Sequence, residues 1–332
     1  MKAWGIFALK SLIACGLLLW IWQQGILDPK LLWHGMVHVE TWSVGIAINL
    51  LIISLGAVRW HLLLRGQGCR LGFSWLHKLT YATTFFNSVV PGVVGGDVLR
   101  IVYLLRHLPP EQQMVAGLTV LFDRLLGLYS MFVLAFLAAL FLQEALLVSR
   151  SGTVLFYLLL AILLLVPLLA VLLLCLFSRI SALGWLPQLA QRAWLRYLPV
   201  HKLLAAIELL RSQWRQTLFS FFQAVLLSLF CQLLAVWVLI RVSATLDLGS
   251  TALQNYLLAA PIAWIANMLP LSPGGLGIGE IAFAQVCQWL QPEAVVALLV
   301  TAFLLARLLQ ILASLPGIIA YFLLDNPQKA PA

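Results

Sequence analysis

Phe85-Phe86-Asn87-Ser88-Val89-Val90-Pro91-Gly92-Val93-Val94-Gly95-Gly96-Asp97-Val98-Leu99-Arg100 is the stretch on which the fold turns. Apolar sequence surrounds it on both sides, yet it cannot continue as a plain helix. Pro91 removes a backbone donor and clashes with the preceding turn, while Gly92, Gly95 and Gly96 favour bends and close backbone approach. Asn87, Asp97 and Arg100 place polar and charged groups in the same neighbourhood. In a bilayer, broken backbone survives only where protein or a water-filled cavity satisfies its amides and carbonyls. An acid and a base at such a break mark a candidate functional site.

Outward from this stretch, composition sets the class. The chain has 332 residues, 63% of them hydrophobic and only 9% charged. A soluble domain carries roughly a quarter charged residues. The predicted fold is all-α, a polytopic helical membrane protein, because the continuous Leu-rich runs lack the alternation of a β-barrel. Tryptophans gather near segment ends (Trp4, Trp20, Trp22, Trp42, Trp60, Trp75, Trp185, Trp289), as interfacial belts require. The net charge of +9 falls at span ends and in one long loop, which suits anionic lipid headgroups rather than nucleic acid. Five cysteines, Cys15, Cys69, Cys175, Cys231 and Cys287, are scattered singly and read as apolar fillers.

The chain reads as one transmembrane domain over 1–332, with about six full spans at 3–22, 42–64, 115–142, 153–177, 217–240 and 294–324. The first is an uncleaved span, since no small-residue cleavage pattern follows Trp22. Two broken, re-entrant Pro-Gly hairpins lie at 79–106 and 252–290. Arg59, Arg65, Arg70 and Lys78 crowd the end of the second span and the loop after it, so the positive-inside rule places that loop and both termini in the cytoplasm. The expected location is a cell membrane, bacterial and inner. The basic loop 178–215 is cytoplasmic, its second half an interfacial or solvated helix. His34 and His38 have the spacing of a helical metal pair but no third ligand, so a solvated loop is preferred and no metal or cofactor is assigned.

The two breaks resemble each other. The first orders Asn87, Pro91-Gly92, Gly95-Gly96 and Asp97; the second orders Asn267, Pro273-Gly274-Gly275, Gly277, Gly279 and Glu280. Downstream, Thr119 with Arg124-Leu-Leu answers Thr301 with Arg307-Leu-Leu. A single insertion in the second glycine-rich loop accounts for the offset. With the first hairpin opening to the cytoplasm and the second outside, the halves at about 79–142 and 252–324 form an inverted repeat, between whose members transporters often bind substrate. The plainer alternative is duplication of an architectural unit.

Asp97, Asp123, Glu280, Arg100, Arg124 and Arg307 all lie within or beside apolar sequence. Each ionised group costs at least ~2.5–3.5 kcal/mol at a helix centre, and pairing lowers that cost. Three acids and three arginines can pair completely, with Asp97 near Arg124 and Glu280 near Arg307. Such pairs can be purely structural. Arginine also grips phosphate with its planar fork, and helix N-termini after Gly92 and Gly275 would add amide donors.

At these motifs the chain resembles the lysylphosphatidylglycerol synthase transmembrane region, a flippase-like membrane family. The resemblance rests on Phe86-Asn87-x3-Pro91-Gly92-x2-Gly95-Gly96-Asp97-x2-Arg100, on Asp123-Arg124-x2-Gly127-Leu128, and on Pro273-Gly274-Gly275-Leu276-Gly277-x2-Glu280. It implies a lipid-handling domain whose members are proposed to translocate aminoacylated phospholipids, hopanoid-related lipids or polyprenyl-linked glycans. The full-length synthases carry a soluble aminoacyl-transferase domain after the membrane region; here the sequence ends soon after Leu324, so lysyl transfer is not expected. Val93-Val94 stands where the family often has further glycine.

The leading expectation is a non-enzymatic lipid translocator. Its substrate is a phosphate-bearing lipid or lipid-linked glycan, contacted by Asn87, Asp97, Arg100, Asp123, Arg124, Asn267, Glu280 and Arg307. Passive exchange or an ion gradient would drive it, with Asp97 or Glu280 as candidate proton carriers, because no G-x-x-x-x-G-K-[ST] sequence is present. The alternatives are an intramembrane enzyme acting on a lipid phosphate, and a non-catalytic partner of a lipid synthase or glycosyltransferase docking through loop 178–215.

Overall fold

The computed structural model describes residues 33, 35–89, 95–182, 214–246, 253–269 and 276–324. Among them all regular structure is helical: α1 Val39–Gly66, α2 Phe73–Val89, α3 Gly95–His107, α4 Pro110–Phe141, α5 Gln143–Val148, α6 Arg150–Ala182, α7 Trp214–Ala244, α8 Leu253–Asn267, α9 Ile278–Leu290, α10 Val296–Ser314 and α11 Pro316–Phe322. Five candidate membrane spans, Val39–Gly66, Pro110–Phe141, Arg150–Leu169, Thr217–Ala244 and Val296–Phe322, match five of the six expected from hydropathy. This is an all-α multi-pass membrane protein. The expected span 3–22, the basic loop 178–215 for most of its length, His34, Pro91, Gly92, Pro273, Gly274, Gly275 and the tail lie outside the described residues.

Both breaks are helical hairpins. Asn87 of α2 meets Gly96 of α3, Thr83 meets Arg100, and the Trp75 ring lies 4.3 Å from His107. Partners therefore run in opposite directions, and the far ends of the two arms come back together. Seventeen and thirteen residues make α2 and α3 roughly 25 and 20 Å long, short of a ~30 Å hydrocarbon core. In the second hairpin Asn267 of α8 meets Gly279 of α9, and Tyr256 meets Phe283.

Gly95, Gly96 and Gly279, expected to form loops, are helical. Gly96 and Gly279 are each the second residue of their helix, and a Cβ at either would collide with the opposite arm. They serve close packing rather than turning. Gly277, at the N-cap of α9, does need glycine, with φ 86°.

Four long helices, α1, α4, α7 and α10, form the centre: α1 packs on α7, α4 and α10, and α7 packs on α4 and α10. The first hairpin lays α2 on α1 and α10 and α3 on α4; the second lays α8 on α7 and α4 and α9 on α10. Exchanging α1–α4 for α7–α10 reproduces the same set of neighbours. The likeness read over 79–142 and 252–324 thus extends back to α1 and α7. Outside this pairing, α6 packs on α4 and α5 and presents a broad Leu-rich face.

The register can be read from the contacts. Gly279, Glu280 and Arg307 each lie 183 positions after Gly96, Asp97 and Arg124 (307 − 124 = 183), whereas Asn267 follows Asn87 by 180 (267 − 87 = 180). The second hairpin tip is longer by three residues, where the sequence alone suggested a single insertion.

Candidate functional site

In each hairpin an acid pairs with an arginine of the span that follows. Asp97, in the first turn of α3, accepts from Arg124 Nε of α4 at 2.8 Å, and Glu280, in the first turn of α9, accepts from Arg307 Nη1 of α10 at 2.9 Å. The separation is 27 residues in both. The two acids hold helix positions where negative charge is favoured. The pairs themselves are those that charge matching suggested.

Their surroundings differ. Glu280 is buried and uses both oxygens: Oε2 accepts the Gly277 N–H at 2.8 Å while Oε1 holds Arg307. Asp97 engages Arg124 through Oδ2, and its Oδ1 is buried without a hydrogen-bond partner. The side chains of Arg124 and Arg307 are 31% and 15% exposed, so the first pair is the more open.

A third cluster was only partly legible. Asp123 of α4, its side chain 4% exposed, takes Arg100 Nη1 on Oδ2 at 3.0 Å and Arg59 Nε on Oδ1 at 2.7 Å. Arg59 comes from α1, where it was expected to be a topology-setting charge at a span end. It is instead a buried partner, anchored further by Nη1 donating to Ser228 Oγ of α7 at 2.8 Å. Trp60 likewise leaves the expected interfacial belt. It is fully buried, donates from Nε1 to Thr119 Oγ1 at 3.2 Å, and carries the Arg100 guanidinium 4.6 Å above its ring. Arg100 Nε also donates to Thr83 Oγ1.

A cavity of about 500 Å³ opens between the hairpins, walled by α1, α2, α3, α4, α7, α8 and α10. Arg59, Arg100, Arg124 and Arg307 all line it, with Asp123, Asn87 and Asn267. Asp97 and Glu280 stand behind their arginines, outside the lining. Apolar side chains, among them Ile52, Leu128, Met131, Trp264 and Phe303, complete the wall. Of the expected contact residues, six of eight therefore reach the cavity, and Arg59 joins them.

Asn87 also fastens its hairpin, its Oδ1 accepting the Gly96 N–H at 2.9 Å. Among the described residues no group of three His, Cys, Asp or Glu side chains could hold a metal ion. Cys69, Cys231 and Cys287 are free and buried.

The chain matches none of the curated proteins. The family model described as the lysylphosphatidylglycerol synthase TM region matches residues 7–317, which takes in both hairpins, all four cavity arginines and their acids. The chain belongs to the lysylphosphatidylglycerol synthase TM region family, and so to the integral membrane proteins of lipid metabolism or transport.

Proposed function

We propose that the protein is a lipid translocator that carries a phosphate-bearing lipid, or a lipid-linked glycan, between leaflets without covalent chemistry. The observation that carries this reading is the cavity wall: four arginines and one acid among apolar side chains. A guanidinium fork matches phosphate oxygens, and the apolar wall accepts the lipid body. The two hairpins, with their matching helix neighbours, are the halves of an inverted repeat whose rocking exposes the cavity to each leaflet in turn. The host is a cell membrane, with the termini on the cytoplasmic side.

The test is made on purified protein in liposomes containing labelled anionic phospholipid, following its arrival in the opposite leaflet. Wild type should move lipid, and Arg124→Ala and Arg307→Ala should each lose that movement while remaining folded by size-exclusion chromatography. Unchanged movement in both variants, or none by wild type across a panel of phosphate lipids, overturns the reading.

A further inference from the structure

The three ion clusters around the cavity are not equivalent in charge. Asp97–Arg124 and Glu280–Arg307 are one-to-one. In the third, two guanidiniums share the single carboxylate of Asp123, leaving one surplus positive charge. Among the described residues no second acid forms an ion pair with either arginine. Arg59 and Arg100 are only 18% and 9% exposed, and retaining an uncompensated charge there is costly for the fold.

Both guanidiniums are held rigidly. Ser228 and Asp123 fix Arg59, while Thr83, Asp123 and the Trp60 ring fix Arg100. Among the described residues each arginine uses two of its five N–H donors in these bonds. At the equivalent positions of the second half, 183 residues on, stand Phe283 in place of Arg100 and Ala306 in place of Asp123. The surplus charge is confined to one side of the cavity.

We propose that the Arg59–Asp123–Arg100 triad is the anion subsite of the cavity, selecting lipids whose headgroup carries one net negative charge on a phosphodiester. Arg124 and Arg307 then serve mainly to fasten the hairpins. This rests on the reading of the cavity as a phosphate-lipid site, and it adds to the binding charge Arg59, which the hairpin motifs do not contain.

Breaking the Arg59–Asp123 pair from its two ends separates charge from architecture. Arg59→Gln removes the surplus charge; Asp123→Asn doubles it. Binding of dihexanoyl phosphatidylglycerol to the full chain in a neutral detergent is measured by titration calorimetry, with dihexanoyl phosphatidylcholine as the zwitterionic control. Wild type should bind the anion at least tenfold more tightly than the zwitterion. Arg59→Gln should weaken anion binding tenfold or more, Arg59→Lys should recover most of that loss, and Asp123→Asn should tighten binding.

A purely architectural pair predicts that Arg59→Gln and Asp123→Asn weaken binding alike; that result, or no binding by wild type, overturns the proposal. Should Arg59→Gln fail to fold, the direction of the Asp123→Asn change decides. Vesicle assays keep the two readings apart. Wild type that binds the anion but moves no lipid refutes translocation and leaves the subsite standing. Wild type that moves lipid, with binding unchanged in both variants, refutes the subsite alone.

Discussion

The hairpins make opposite predictions for the rescue of one substitution, Gly→Ala, at matched positions. At Gly279 the three atoms nearest to an added Cβ all belong to the Asn267 side chain. At Gly96 the nearest is the Thr83 carbonyl oxygen, with the Asn87 side chain next at 2.7 Å. Overpacking of this kind costs about 1–3 kcal/mol, so Gly279→Ala and Gly96→Ala should each destabilise the protein by roughly that amount. Asn267→Ala vacates the contested space and should restore most of the loss in Gly279→Ala, a coupling of about 1–3 kcal/mol. Asn87→Ala cannot move a backbone carbonyl and also removes the acceptor for the Gly96 N–H, a further loss of about 1 kcal/mol. The Gly96→Ala/Asn87→Ala double variant should therefore be worse than either single one. Thermal unfolding in one detergent, followed by tryptophan fluorescence, reads these differences at roughly 2–4 °C per kcal/mol. Rescue of Gly96→Ala by Asn87→Ala, or failure of Asn267→Ala to rescue Gly279→Ala, would refute this account of the hairpin contacts.

The ion pairs should rank by burial. Arg307→Ala strands a Glu280 side chain only 2% exposed and should cost about 3–5 kcal/mol, partly recovered by Glu280→Gln, whereas Arg124→Ala should cost less because Asp97 is 17% exposed; equal melting shifts would contradict the ranking. Trp60→Phe loses the Thr119 hydrogen bond and weakens the aromatic seat of Arg100, an expected cost of about 1–2 kcal/mol in the same melts. Cys69 lies beyond the end of α1, and burial pushes its thiol up to about 11. Burial disfavours the reactive thiolate, so a variant keeping Cys69 as its lone cysteine should resist maleimide at pH 7 and label readily once denatured. Rapid labelling of the folded protein would count against that burial.

Five spans were legible because long apolar runs leave little choice in a bilayer. Asp97–Arg124 and Glu280–Arg307 were legible too, since an intramembrane acid must find a base and each had one at matching separation. Arg59 was not. Near a span end, an arginine that snorkels to the interface and one that turns inward to a carboxylate look the same in sequence, and only the packing of α1 on α4 and α7 distinguishes them. Trp60 was misjudged for the same reason, because its position along the span says nothing about which face of α1 it occupies. The three-residue difference between hairpin tips was hidden by the glycines. Several glycines in a row offer several equally good alignments, and it took the Gly96–Asn87 and Gly279–Asn267 contacts to choose among them.

The 27-residue interval between each hairpin acid and its arginine also bears on biogenesis. During synthesis Asp97 and Glu280 leave the ribosome ahead of Arg124 and Arg307. At roughly 5–20 residues per second the lag is about 1–5 s. Over that interval each hairpin acid lacks the arginine it pairs with in the fold, on arms too short to span the bilayer. Insertion of each hairpin should therefore wait for the helix behind it. Holding the nascent chain at a length where the hairpin has emerged and Arg124 or Arg307 is still inside the ribosome should leave that hairpin accessible to water-soluble reagents, and lengthening it until the arginine-bearing turn emerges should close it.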